Sequence, residues 1–200
     1  KEPAATQPPA AEPKSDTPTL DKIRAKGTLI LGTESTYPPF EFIIIKDGKS
    51  VGVGMDVSLG EKIAEKIGVK FETSEMAFDA IIPAITVGTV DIGGSMTPTE
   101  ERKQVIDFSD LYYFSSNNFI VRKGEEANFS KKEDFAGKTI GAQQGTIQNT
   151  MVVEEFKDSK NLILPKVSSL IQELKNGNID AIMVEAPVAD TYIKAHQDLA

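Results

Sequence analysis

Residues 56–72, Asp56-Val57-Ser58-Leu59-Gly60-Glu61-Lys62-Ile63-Ala64-Glu65-Lys66-Ile67-Gly68-Val69-Lys70-Phe71-Glu72, join two periodicities. Asp56 opens a helix in which Leu59, Ile63 and Ile67 recur every four residues; Gly68 ends it, and Val69 to Glu72 reads as a strand. The flanks repeat the alternation. Upstream, Thr28 to Leu31 is a buried strand after the stop at Gly27, and Phe40 to Ile45 is another, closed by the turn Lys46-Asp47-Gly48-Lys49. Downstream, Phe78, Ile81, Ile82 and Ile85 mark the inner face of a helix ending near Gly88, and Asp91 to Gly94 is a short strand. Such βαβ units predict a parallel sheet with helices outside.

The grammar returns after an extended, aromatic-rich connection from Phe108 to Val121. Lys138 to Ala142 is a strand, Thr146 to Phe156 a helix, and Leu162 to Leu164 a strand. Ser168 or Ser169 then caps a helix bearing Leu170, Ile171 and Leu174. Ile179 to Val184 is the next strand, and a last helix begins around Pro187. Two small α/β lobes joined by extended chain form a cleft, a preferred place for a small ligand.

Composition narrows the chemistry. The 200 residues, 40 % of them apolar, suffice for one sizeable core or two small ones. No apolar run approaches the roughly 20 residues of a membrane span. Lys and Arg number 22 against 30 Asp and Glu, and the net charge of -8 argues against nucleic acid as a partner. Cysteine is absent and His196 is the single histidine. Thiol chemistry, disulfides and Cys- or His-cluster metal sites are therefore excluded, and no cofactor or metal is expected. Lys1 to Thr19 holds Pro3, Pro8, Pro9, Pro13 and Pro18 and no large apolar residue, the composition of a disordered tether.

Ser95-Met96-Thr97-Pro98-Thr99-Glu100-Glu101-Arg102 reads as a helix start, with Thr97 as N-cap, Pro98 first in the helix and Glu100 completing a capping box. Its N–H groups suit an anion, and Arg102 offers a planar fork matched to a carboxylate. The competing reading is an ordinary capped helix with Arg102 paired to Glu101 or Asp107. Gln143-Gln144-Gly145-Thr146-Ile147-Gln148 is a second helix start, in which Thr146 can cap and donate; it lacks the Gly-Lys-Ser/Thr ending of a phosphate loop. Gly52-Val53-Gly54 lacks the third glycine of a dinucleotide site. Both stretches also read as plain turns. Glu34 and Glu185 follow strands and face the crevice, where they can pair with an ammonium group or form a general acid/base couple. Tyr37, Phe40 and Phe78 lie near the same edge, as core or as ligand wall.

The stretches Gly32 to Phe42, Gly54-Met55-Asp56-Val57, Ala77 to Ala84, Met96 to Arg102, Val105 to Asp110 with Tyr112-Tyr113, Gly141 to Thr146 and Asn178 to Glu185 together resemble the polar amino-acid-binding proteins of bacterial ABC importers, the family 3 extracellular solute-binding proteins. The resemblance runs in order from about Leu20 to Ala200. It implies a two-lobed periplasmic binding protein-like fold (type II), each lobe a mixed, mostly parallel sheet flanked by helices, that closes on one free L-amino acid. Arg102 would fork the α-carboxylate, helped by the Thr97 hydroxyl and the backbone N–H groups of Thr146 and Ile147. Glu185, where the family more often has Asp, would hold the α-ammonium. Tyr37 and Phe78 would sandwich the side chain, Ser95 and Met96 would line the site, and Glu34 and Gln143 would read the side chain's far end. Glu34 is a carboxylate beyond the one the ammonium needs, which favours arginine first, then lysine or histidine, with glutamine as the neutral alternative.

The resemblance further implies a monomer outside the cytoplasm that docks on the importer's membrane subunits, held to the membrane by a lipid anchor preceding Lys1. The expected organisation is a tether (1–19), lobe 1 (20–113), a hinge strand (114–118) and lobe 2 (119–200). Against the family the chain is short, so lobe 2 is expected to be truncated while the ligand-contact set is complete. Two rival classes share the fold: an enzyme such as a cyclohexadienyl-type dehydratase, with Glu185 as acid or base, and the ligand-sensing domain of a receptor.

Overall fold

A computed structural model describes residues 16–200; the expected tether up to Ser15 lies outside the described residues. Helix α1 (Pro18–Lys26) starts on a proline, whose fixed φ suits the first turn, so Pro18 and Thr19 are already helical. β1 (Thr28–Thr33) follows Gly27 and forms the middle of a parallel sheet, with β5 (Lys70–Glu75) on one side and β6 (Ile92–Gly93) on the other. A separate antiparallel sheet, β2 (Thr36–Tyr37), β3 (Glu41–Lys46) and β4 (Lys49–Val53), lies between β1 and α2 in sequence. The expected strand from Phe40 to Ile45 is thus one arm of a hairpin. Its Ile43, Ile44 and Ile45 are exposed rather than buried.

Helix α2 (Met55–Ile67) ends at Gly68 as the sequence predicts, but it packs on another face. Val57, Gly60 and Ala64 are buried, while Leu59 and Ile63 border an open groove. Gly60 explains the rotation: a Cβ there would collide with the Phe71 ring of β5, so the helix approaches the sheet through its smallest residues. A 3-10 turn (Phe78–Ala80) leads into α3 (Ile81–Thr86), and α4 (Glu100–Lys103) is a single turn.

A second sheet begins with β7 (Asn117–Val121) and adds β8 (Thr139–Gln143), β9 (Lys160–Leu164) and β10 (Ala181–Glu185) in the order β7-β10-β8-β9. β7 runs antiparallel to β10 and the other pairs are parallel, the mixed sheet expected. Helices α5 (Ile147–Glu155), α6 (Val167–Lys175) and α7 (Ala186–Ala195) complete it. Helix α6 starts at Val167 without a side-chain cap, ahead of the Ser168 or Ser169 expected. Val167 is fully buried with Leu170, Ile171 and Leu174, and burial of such side chains, about 1.5–3 kcal/mol each, outweighs a missing cap. Tyr37 and Phe40 join this second core from the β2–β3 region, so the two α/β units meet through aromatic packing beside the cleft.

Candidate functional site

The carboxyl ends of β1, β6, β8 and β10 converge on one cleft, of about 310 Å³ of unfilled space with its open mouth included. Glu34, Tyr37, Phe78, Ser95, Thr97 and Arg102 line it from one side; Gln143, Thr146, Ile147 and Glu185 line it from the other. The fold thus gathers ten expected residues from the whole stretch between Glu34 and Glu185. Met96 is not among them and borders the larger apolar groove next door. Glu41 and Gln148, unforeseen in this role, complete the wall.

Of the two expected helix starts, that of α5 lines the cleft through Thr146 and Ile147, and the other does not form where expected. Thr99, not Thr97, caps α4: its backbone is extended and its Oγ1 accepts from the Arg102 N–H at 3.2 Å. Pro98 disfavours helical geometry for Thr97 before it, and the helix opens two residues later, at Glu100. This leaves Thr97 in the loop, where its carbonyl accepts from Arg102 Nη1 at 2.6 Å. Arg102 Nη2 donates to the Gly145 carbonyl at 2.7 Å, across the cleft, and the guanidinium lies 5.6 Å from the Phe78 ring centre. The ion pair considered with Glu101 or Asp107 does not form; carbonyl oxygens hold the fork in place. On the far side Thr146 caps α5 as expected, accepting from the Asn149 N–H at 3.1 Å and donating to the Gln143 carbonyl at 2.7 Å.

The carboxylates set the electrostatics. Glu34 is buried, and one oxygen, Oε2, accepts from Thr36 Oγ1 and from Gln143 Nε2, each at 2.9 Å. Its Oε1 is buried without any partner among the described residues. Burial raises the Glu34 pKa against the opposing pull of these hydrogen bonds and of Lys166. Glu41 accepts from Thr33 Oγ1 at 2.7 Å, yet burial pushes its carboxyl up to about 8. Glu185, half-buried at the end of β10, is raised by burial and by nearby Asp56. Burial also lowers the pKa of Arg102. Three carboxyl groups, Glu34, Glu41 and Glu185, thus share the cleft wall with one guanidinium among the described residues, and burial shifts all three toward the neutral acid.

Both missed residues had a weak signal. Glu41 sits at the start of a strand within a stretch already singled out, and its burial needs the β2–β3 pairing that sequence does not show. Gln148 follows Ile147 at the start of α5 and donates to Asn117 Oδ1 at 2.7 Å, a contact between helix and β7 without local sequence trace. Among the described residues no group of His, Cys, Asp or Glu could hold a metal ion, and no helix is long and apolar enough to cross a membrane.

Comparison with known proteins supplies a family. Residues 29–183 match the bacterial extracellular solute-binding proteins, family 3. The arginine-binding extracellular protein ArtP of Bacillus subtilis is 39 % identical over 181 residues, covering 87 % of this chain and 67 % of the relative. A solved structure of the amino acid ABC transporter substrate-binding protein AbpA of Streptococcus pneumoniae, bound to L-arginine, superposes with a TM-score of 0.87 at 38 % identity, covering 90 % of this chain and 76 % of the other. An ancestral arginine-binding protein bound to glutamine superposes with a TM-score of 0.80 at 39 % identity, covering 87 % and 77 %. The chain spans about two thirds of the length of the curated relatives it matches.

Proposed function

The chain belongs to the family 3 bacterial extracellular solute-binding proteins, and on that premise we propose that it captures a free cationic L-amino acid, arginine first, by closing its cleft and delivering the ligand to the membrane subunits of an ABC importer. The observation that carries the ligand class is Glu34 Oε1, a buried acceptor without a partner among the described residues, beside a hydrogen-bonded twin oxygen. A guanidinium supplies the donors it lacks and relieves the burial of its charge. Tyr37 and Phe78 line the same cleft, and aromatic rings attract a planar cation.

The α-amino-acid end fits the other half of the cleft. Arg102 and the start of α5 offer donors to the carboxylate, and Glu185 takes the ammonium. Hydrogen bonds already crossing the cleft, Arg102 to Gly145, Gln143 to Glu34 and Gln144 to Asp79 at 2.6 Å, support closure as the working motion, with residues 114–118 as its hinge. The arginine-binding relatives support the ligand, and the glutamine complex of the ancestral protein makes glutamine its main competitor. Delivery to an importer, a position outside the cytoplasm and a lipid anchor ahead of Lys1 rest on family membership.

A thermal-shift panel of the common L-amino acids tests the reading. Arginine is expected to give the largest stabilisation, followed by lysine or histidine. Stabilisation by glutamine or glutamate alone would overturn the cationic assignment.

A further inference from the structure

Asp56 stands outside the cleft wall, in the first turn of α2, yet it is only 3 % exposed. It receives two hydroxyl donors from distant parts of the chain. Ser95 Oγ donates to Oδ2 at 2.6 Å and Tyr112 Oη donates to Oδ1 at 3.0 Å. Each partner lies on an element with a task. Ser95 opens the loop that presents Thr97 and Arg102, and its backbone sits at φ 52, a conformation costly for a residue other than glycine unless its surroundings hold it. Tyr112 belongs to the irregular stretch 104–116 that links the first α/β unit to β7. The fit around the carboxylate has no slack: a Cβ on Gly94 would stand 2.7 Å from Oδ2.

We propose that Asp56 is a positioning residue that ties the Ser95–Thr97 ligand loop to the connecting segment at Tyr112, so that movement of that segment during cleft closure is transmitted to the loop. The proposal rests on the closing-cleft reading above and adds a route by which closure reaches the ligand. Asp56 holds the loop from outside the cleft wall. Loss of the tie therefore loosens the loop without removing any group that lines the cleft.

Tyr112→Phe deletes one hydroxyl from a half-exposed residue and keeps the ring. Amide hydrogen exchange at Ser95, Met96 and Thr97 in the ligand-free protein is expected to quicken several-fold in this variant and in Asp56→Asn. The two changes combined should quicken it by less than the product of the single effects, because both cut the same tie. The L-arginine Kd of Tyr112→Phe is expected to rise roughly tenfold, the order for one hydrogen bond to a charged group, mainly through faster dissociation. Unchanged loop exchange in Tyr112→Phe, or single effects that simply multiply in the double variant, would overturn the proposal. The exchange measurements need no ligand, so if the parent protein does not bind L-arginine the ligand assignment fails while the tie is still judged.

Discussion

Replacing Glu34 by Gln separates the charge of the side-chain reader from its shape. In the parent, Oε2 accepts from Thr36 and Gln143 while Oε1 is left without a partner among the described residues. The introduced amide can turn its carbonyl toward Thr36 and Gln143 and satisfy both, which places its NH2 where the unpartnered oxygen was. That NH2 repels the donors of a guanidinium but can donate to the side-chain carbonyl of glutamine. A hydrogen bond to a charged group contributes about 1.5–3 kcal/mol, so Glu34→Gln should weaken L-arginine about 10- to 150-fold. The free protein should lose no stability, since the substitution removes a buried carboxylate whose pKa is already raised. Calorimetric titration with L-arginine and with L-glutamine, beside thermal unfolding without ligand, measures all three quantities. Equal weakening of both ligands, or unchanged arginine affinity, would refute the assignment of Glu34 as the reader of positive charge.

Other outcomes follow from the same geometry. Arg102→Ala should nearly abolish amino-acid binding by calorimetry, because among the described residues it removes the only guanidinium lining the cleft; affinity within a few-fold of the parent would sink its role. Glu41, raised to about 8 in the folded protein from 4.5, keeps a proton that the unfolded chain releases in that interval, so stability should fall as pH rises from about 4.5 to 8. Each pKa unit of difference is worth about 1.4 kcal/mol, and Glu41→Gln should flatten the slope of melting temperature against pH over that range; an unchanged slope would count against it. Thr146→Ala should cost about 1 kcal/mol of stability by denaturant unfolding through loss of the α5 cap, and it should weaken binding as well.

Much of the architecture is legible in the sequence because it depends on local repetition. Gly27 and Gly68 end helices where they stand, and the second sheet follows the predicted order of strands and helices. Periodicity misleads where small residues make the contact. The Leu59 and Ile63 stripe has the spacing of an inner face of α2, but Gly60 and Ala64 allow the closer approach to β5. The hairpin is only half legible, since Ile43 to Ile45 reads as a buried run and only its pairing with β4 shows it exposed. At the site, the family resemblance locates ten cleft residues that residue types alone leave open, while the cap moves from Thr97 to Thr99 because two threonines flank Pro98 and either suits a cap by type. The Gln148 contact and the Asp56 tie join segments tens of residues apart, so no window of sequence contains them. Glu41 is a nearer case, hidden because its burial follows from strand pairing and not from its own residue type.

The most direct measurement is a crystal structure of the chain grown with L-arginine. The guanidinium is expected within hydrogen-bonding distance of Glu34 between Tyr37 and Phe78, with the α-carboxylate on Arg102 and the α-ammonium on Glu185. A ligand bound in the reverse sense, with its carboxylate toward Glu34, or bound elsewhere with this cleft empty, would contradict the proposed site.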